Sequence, residues 1–216
     1  MMPIGDDNTA RKSRPYVTWG LILLNILSFF FEMQGGEAFI QKWAYIPSRF
    51  LGNPGNEFAT LFSSMFMHAG LLHLGGNMLY LWIFGDNVED KMGKIPFLIF
   101  YIVCGLGATF SQTLFDPHSS LPNVGASGAI AGVLGAYILM FPNSKVNVLL
   151  GRQVTPMPAL IVIGLWFVLQ FMSGVSSFYS TTGDQGGVAY MAHVGGFLSG
   201  LAIAIVWHAI AGRKSG

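Results

Sequence analysis

The sequence predicts an all-α membrane protein in which six helices cross the bilayer and the fourth of them is short. Three observations predict this class. Of 216 residues, 52% are hydrophobic and only 10% are charged, whereas a typical soluble domain carries about 25% charged residues. Six apolar stretches have the length of a membrane span or come close to it. The basic residues lie in short connecting segments, in a pattern that fits an even number of spans.

Composition also limits the functions to consider. The net charge is +1 and the basic residues are scattered, so nothing favours a nucleic-acid partner. The single cysteine, Cys104, lies in an apolar stretch and is expected to be a small buried hydrophobe. Basic residues precede the first apolar run, but no A-x-A-like cleavage site follows it. We therefore expect a retained first helix rather than a signal peptide.

The apolar pattern divides the chain into a tail at 1–15, a membrane domain at 16–211 and a second tail at 212–216. The stretch 32–57 is aromatic and amphipathic, which predicts that it lies at the membrane interface as a first loop. The predicted spans are 16–31, 69–84, 95–115, 127–141, 157–175 and 190–211. The fourth covers roughly 22 Å at about 1.5 Å per residue, less than the roughly 30 Å of bilayer hydrocarbon. Its first residue, Ser127, should therefore lie below one membrane face.

The positive charges predict the orientation. With the N-terminus in the cytoplasm and the spans alternating, the outer side keeps only Lys42 and Arg49 of the 11 basic residues. The cytoplasmic side holds the others: Arg11, Lys12, Arg14, Lys91, Lys94, Lys145, Arg152, Arg213 and Lys214. Both termini are then cytoplasmic, and Ser127 enters its helix from the outer side.

Polar side chains inside spans are costly and usually functional, and here the topology brings several to a similar depth. Ser127 stands in Gly125-Ala126-Ser127-Gly128, and His193 lies near the outer end of the sixth span. His73 and Asn77 are four residues apart on one helix face, with His68 just before that helix. An imidazole can take the proton of a serine hydroxyl and make it a nucleophile. The amide of Asn77, His73 and the backbone N–H of Ser127 could then stabilise an oxyanion.

Small residues predict how the serine and the histidine meet. The sixth span carries Gly196-x-x-x-Gly200, a close-packing signal. The fourth span offers a facing small surface that includes Gly128 and Gly132. Packing of these surfaces would bring the outer ends of the two helices together.

Two other interpretations of the polar residues stay open at this point. His73 and Asn77 could form interhelical hydrogen bonds alone, without a part in chemistry. His68, His73 and His193 could bind a metal, but no carboxylate or supporting partner is evident nearby. We therefore expect neither a metal nor another cofactor.

Taken together, these motifs resemble the rhomboid intramembrane serine proteases. The resemblance rests on the Gly125–Gly128 segment, on His68, His73 and Asn77, and on His193-x-x-Gly196-x-x-x-Gly200, with Gly85-Asp86-Asn87-Val88-Glu89 in support. It covers the chain from Tyr16 to Ala211. It implies a six-helix fold, a Ser127–His193 dyad without an acidic member, and an oxyanion site of Asn77, His73 and backbone at Ser127 and Ala126.

The resemblance also implies that His68 supports the site through hydrogen bonds. It implies that substrates enter laterally near spans two and five, with Trp166, Phe167 and Phe171 as gate residues. Two positions depart from the family pattern. Many members carry a tyrosine that stacks beneath the histidine, where this chain has Ala131. Some bacterial members have Trp-Arg in the first loop, where Trp43 is followed by Ala44.

The sequence thus predicts an endopeptidase that cuts peptide bonds in or next to transmembrane helices of single-pass or multi-pass membrane proteins. Its expected location is a cell membrane, with the site opening to the outer side. The main alternative is a catalytically silent relative that binds transmembrane helices. A small transporter is a third possibility, although no broken-helix pair recurs in two halves of the chain.

Overall fold

A computed structural model describes residues 2–9, 11–179 and 189–212. The described part is mainly helical, as expected, and four of its helices are long and apolar enough to cross a membrane. These four are α1 (Tyr16–Trp43), α7 (Lys94–Phe115), α9 (Ala159–Tyr179) and α10 (Tyr190–Gly212). Residues 213–216, which include the predicted cytoplasmic Arg213 and Lys214, lie outside the described residues.

The predicted second span is part of a longer interrupted helix. Helix α5 (Leu71–Tyr80) continues through a π-helical turn (Leu81–Gly85) into α6 (Asp86–Met92), and the junction residues keep helical backbone angles. The prediction stopped at residue 84 because the sequence becomes polar there. The polar turns persist because the carboxylate of Glu89 accepts hydrogen bonds from the backbone N–H groups of Val17 and Thr18 at 3.0 and 2.7 Å. It thereby satisfies donors that the first turn of α1 leaves free.

Helix α1 is also longer than predicted. It runs past residue 31 to Trp43, with a break at Gly36, whose φ of 54° is a conformation that glycine adopts readily. The stretch predicted as an interfacial loop, 32–57, therefore begins as helix. It continues through α2 (Pro47–Gly52) and α3 (Pro54–Glu57). Helix α4 (Thr60–Ser63) and a 3₁₀ turn (Ser64–Phe66) then lead towards α5.

A small antiparallel sheet was not expected from the sequence. It has the order β1-β2-β3, formed by β1 (Met2–Asp6), β2 (Lys145–Leu150) and β3 (Gln153–Pro158). Val146 and Val148 of β2 are fully buried, so their face of the sheet belongs to the core. The predicted N-terminal tail thus contributes a strand that pairs with the segment after the fourth span.

The short helix α8 (Ser127–Met140) lies at the centre of the core. Every residue from Gly128 to Tyr137 is buried. Helix α10 packs against α8 and α7 through small residues on two faces. Towards α7, a Cβ on Gly195 would lie 2.2 Å from the Cβ of Ser111; towards α8, one on Gly196 would lie 2.0 Å from the carbonyl oxygen of Gly128. Main-chain contact of this kind fixes the relative position of the helices.

Candidate active site

Ser127 is the first residue of α8, and the backbone before it is held in place. Gly125 has a φ of 135°, and its N–H donates to the carbonyl oxygen of Ser64 at 2.9 Å. A Cβ on Gly125 would lie 2.9 Å from Cε1 of His73 and 3.4 Å from Oγ of Ser127. Only glycine combines this backbone conformation with so close an approach of the His73 ring.

His193 lies in the first turn of α10, directly opposite Ser127. Its Nε2 lies 2.7 Å from the Ser127 Oγ, which is hydrogen-bond distance. The close packing of α8 and α10 positions both groups, since Gly196 stands one turn after His193 on the face that contacts α8. The arrangement matches that of a nucleophile beside its base.

The other ring nitrogen of His193 has a partner that the sequence analysis missed. Nδ1 lies 2.7 Å from Oε1 of Gln170 on α9. Trp166, one turn earlier on α9, has its ring centroid 5.9 Å from that of the imidazole. The available signal was a lone amide within the apolar run 165–172, four residues from a tryptophan. Its partner could be known only from the packing of α9 on α10.

Four predicted residues and Gln170 line the same cavity. It has a volume of about 670 Å³, and Ser127, His193, His73, Asn77 and Gln170 contribute to its lining. The Nδ2 of Asn77 is buried without a hydrogen-bond partner among the described residues. The Nδ1 of His73 accepts the backbone N–H of Ala69 at 3.4 Å, which leaves the ring proton on Nε2, the nitrogen beside Gly125.

His68 and Ala126 lie behind the cavity rather than on its wall. His68 is 1% exposed and makes an edge-to-face contact with the His73 ring at 5.1 Å between centroids. Its backbone N–H donates to the Glu32 carboxylate at 2.9 Å, while both of its ring nitrogens lack a partner among the described residues. Ala126 is fully buried. Support of the site by hydrogen bonds of the His68 ring, which the resemblance implies, stays a prediction.

The predicted gate residues differ in their surroundings. Trp166 lines the cavity beside His193. Phe167 stacks on Phe197 of α10, with ring centroids 4.3 Å apart. Phe171 is 47% exposed on the outside of α9. Of the three, Phe171 is the residue whose side chain is free to contact lipid.

The two departures from the family pattern have visible consequences. Ala131 is fully buried one turn after Ser127, and the aromatic neighbour of the imidazole is Trp166 instead. In the first loop, the guanidinium of Arg49 donates to the carbonyl oxygen of Ala44 and to the carboxylate of Glu57, each at 2.7 Å. An arginine further along the chain thus anchors this loop.

No group of three metal-ligating side chains is found in the part of the chain that the structure describes. The residues named above instead form a hydrogen-bonded series in which Gln170, His193 and Ser127 follow one another. Such a series can activate a hydroxyl without a metal ion.

Fold and site together define a multi-pass membrane protein with a serine–histidine pair beside a cavity. The chain belongs to the rhomboid family, because the family model described as the Rhomboid domain matches residues 55–210. The resemblance predicted from the motifs is thereby confirmed, and with it the assignment to a family of membrane proteases.

Several relatives are similar over much of the chain. The Rhomboid protease GluP of Bacillus subtilis (strain 168) is 31% identical over 88% of this chain and 34% of its own length. Rhomboid protein 1, mitochondrial, of Saccharomyces cerevisiae is 26% identical over 86% of this chain and 51% of its own. The Putative rhomboid protease YdcA of Bacillus subtilis (strain 168) is 30% identical over 58% of this chain and 62% of its own length. The chain thus spans between about a third and two thirds of the length of these relatives.

Proposed function

We propose that this protein is an intramembrane serine endopeptidase that hydrolyses peptide bonds in or next to transmembrane helices. One observation carries the proposal: the Ser127 Oγ lies 2.7 Å from the His193 Nε2 at the wall of a cavity. A serine hydroxyl without a base is a weak nucleophile. The hydrogen bond supplies the base, and the cavity leaves room for the substrate.

The reaction follows the chemistry of acyl transfer. His193 takes the Ser127 proton while Oγ attacks the scissile carbonyl, and the imidazolium then gives that proton to the leaving amine. Water, deprotonated by His193, releases the acyl group from Ser127. The charge that develops on the carbonyl oxygen needs preorganised donors. The Nδ2 of Asn77, which has no hydrogen-bond partner among the described residues, and the Nε2–H of His73 are suited to this role, together with backbone N–H groups at Ser127 and Ala126.

The substrate would reach the site from the lipid. Helix α5 contributes Leu72 and Asn77 to the lining of the cavity and α9 contributes Trp166 and Gln170, which supports lateral entry between these helices. A helical substrate keeps its carbonyls hydrogen-bonded, and lipid offers them no other partner. The substrate must therefore unwind locally, so we expect helix-breaking residues near the cut and a small residue before it.

The membrane arrangement is part of the proposal. Six spans result if the interrupted helix from Leu71 to Met92 and the short α8 cross together with the four long helices. The positive charges favour cytoplasmic termini and a site that opens to the outer side of a cell membrane. The partners we expect are membrane-protein substrates and the bilayer, without nucleic acid.

A fluorophosphonate probe tests the proposal, because such probes react with activated serines. The purified protein in detergent should be labelled at Ser127, and it should cleave a panel of transmembrane substrates whose cut sites are mapped by mass spectrometry. Ser127→Ala and His193→Ala should each abolish labelling and cleavage while keeping the fold. Ser120→Ala, which changes an exposed serine in the loop before α8, is the matched control and should behave as wild type.

The test separates the protease from a silent binder of transmembrane helices. A binder would retain the substrates on an affinity column but would neither react with the probe nor cleave them. Undiminished cleavage by purified Ser127→Ala would show that another nucleophile acts and would refute the assignment.

A further inference from the structure

We propose that Gln170 is a positioning residue for His193: it fixes the proton on Nδ1, so that Nε2 is free to accept the proton of Ser127. This inference rests on the proposed function, because it concerns the base of that reaction. It adds a third side chain to the Ser127–His193 pair. Ser127 and His193 stand on α8 and α10, whereas Gln170 stands on α9.

The hydrogen-bond chemistry of the three groups leads to this role. A neutral imidazole carries one N–H and one acceptor nitrogen. The Nδ1 of His193 lies 2.7 Å from the amide oxygen Oε1 of Gln170, and Nε2 lies 2.7 Å from the Ser127 Oγ. An amide oxygen can only accept, so Nδ1 must donate and therefore holds the proton. Nε2 is then the acceptor that faces the hydroxyl, which is the tautomer that a general base requires.

Among the helices around the His193 ring, α9 supplies the residues that orient it. The α8 residue one turn after Ser127 is Ala131, whose methyl group cannot hold an imidazole in one orientation by hydrogen bonding. Gln170 and Trp166, one turn apart on α9, contact the ring at its Nδ1 and at its side. Two contacts from one helix thus fix both the tautomer and the rotation of the ring.

Gln170 does not take part in the transfer of protons. Its amide neither gains nor loses one, and the proton on Nδ1 of His193 stays there throughout. When Nε2 receives the Ser127 proton, the resulting imidazolium is stabilised by the dipole of the amide carbonyl rather than by a carboxylate. The role is that of the orienting third group in serine–histidine catalysis, performed by a neutral side chain.

The charged and titratable groups around His193 determine how the pH dependence of labelling is interpreted. Besides His193, the titratable side chains among the described residues around the cavity are His73 and Tyr80 from α5 and Tyr190 from α10 itself. Helices α7, α8 and α9 present the uncharged Thr109, Ser127 and Gln170. A carboxylate introduced on α9 would therefore be the first anionic group among them.

The experiment compares Gln170→Met, which removes the acceptor at similar volume, with Gln170→Glu, which keeps it and adds charge. The rate of fluorophosphonate labelling is measured from pH 5 to pH 9. We expect Gln170→Met to label about tenfold more slowly or worse across this range, the effect of about 1.4 kcal/mol on the barrier. Gln170→Glu should label at high pH nearly as fast as wild type, with the acid limb shifted upward by about one pH unit or more. Gln41→Met makes the same exchange at an exposed position and should match wild type.

A readout that does not need activity keeps the two proposals separate. In ¹⁵N-histidine spectra, the His193 signals are identified by their loss in His193→Ala. Wild type should show a protonated Nδ1 and an unprotonated Nε2, and Gln170→Met should lose this single tautomer. If wild type fails to label but shows the tautomer, the proposed function fails and the role of Gln170 in fixing the proton stands. If the tautomer is the same in Gln170→Met, or if neither Gln170 variant alters the labelling profile, the inference is overturned.

Discussion

A Cβ atom on Gly200 would lie 2.0 Å from the carbonyl oxygen of Gly132. Since backbone atoms cannot rotate away as a long side chain can, α8 and α10 are in direct main-chain contact at this point. One turn earlier, Gly196 meets the carbonyl oxygen of Gly128 in the same way. The short distance from Ser127 to His193 therefore depends on the absence of side chains at Gly196 and Gly200 of α10.

Gly200→Ala should separate the two helices and inactivate the protein. The added methyl group has no space, so we expect a loss of about 1–3 kcal/mol in stability and a large fall in probe labelling. Gly164→Ala on α9 is the matched control, because nothing lies within 4 Å of its added Cβ and alanine favours a helix over glycine by about 0.5–1 kcal/mol. Thermal unfolding in detergent and labelling rates check both. Equal behaviour of the two variants would mean that the glycine contact does not set the geometry of the site.

Gly125→Ala separates backbone strain from steric displacement of His73. Alanine at a φ of 135° is strained, and its Cβ would lie 2.9 Å from the His73 ring. Gly151→Ala in the β2–β3 turn also places alanine at positive φ, 63°, but with nothing within 4 Å. Both variants should lower Tm, and only Gly125→Ala should also lose labelling. Full labelling by Gly125→Ala would show that the position of the His73 ring is unimportant for the reaction.

Asn77→Ala should uncouple activity from stability. The Nδ2 of Asn77 is buried without a partner among the described residues, so its removal sacrifices no hydrogen bond there, and Tm should change little. If Asn77 donates to the oxyanion, turnover should fall by up to about two to three powers of ten. Steady-state cleavage of one transmembrane substrate measures this. Unchanged turnover would mean that Asn77 is a packing residue. A large drop in Tm would mean that its side chain forms a stabilising interhelical hydrogen bond.

The sequence predicted the membrane class and the convergence of the site, because both follow from the order of apolar stretches and from where polar residues interrupt them. Ser127 begins α8 and His193 lies in the first turn of α10, and helices that pack through glycines bring their ends together. Features that depend on long-range partners were missed. The polar helix α6 is held by hydrogen bonds that the backbone at the start of α1 donates to Glu89. The contact of Gln170 with His193 depends on the position of α9.

The sheet was missed for a related reason. The alternation around Val146 and Val148 covers only a few residues, and such short apolar runs do not distinguish a strand from the end of a span. The partner strand β1 lies more than a hundred residues earlier in a segment predicted as a polar tail. Pairing at that separation is supported by tertiary contacts, such as the hydrogen bonds that Tyr137 of α8 and Asn87 of α6 donate to Asp6, and local sequence does not express them.

Asp6, at the end of β1, is the part of this sheet that should respond to pH. Its Oδ2 accepts hydrogen bonds from the hydroxyl of Tyr137 and the amide of Asn87, both at 2.7 Å. Burial raises the pKa of Asp6 from 3.8 to about 6, and the nearby charge of Asp86 adds to this effect, while the two hydrogen bonds oppose it. The folded chain therefore holds this proton more tightly than the unfolded chain does.

The direction of the pH dependence follows from that difference. Below about pH 4, Asp6 is protonated in both the folded and the unfolded chain, so it does not lower the free energy of unfolding. Between about pH 4 and pH 6, Asp6 is ionised in the unfolded chain but still protonated in the folded chain. The free energy of unfolding therefore falls as pH rises through this range. Asp6→Asn keeps an oxygen that accepts from Tyr137 and Asn87 and removes the buried charge. The Tm of Asp6→Asn minus that of wild type should therefore grow from pH 4 to pH 6 and stay constant above pH 7. Asp7→Asn is the control of opposite sign, because hydrogen bonds from Thr9 lower the pKa of the exposed Asp7. A Tm difference for Asp6→Asn that shrinks or becomes negative as pH rises would show that the ionised Asp6 stabilises the fold through Tyr137 and Asn87 more than its burial opposes it.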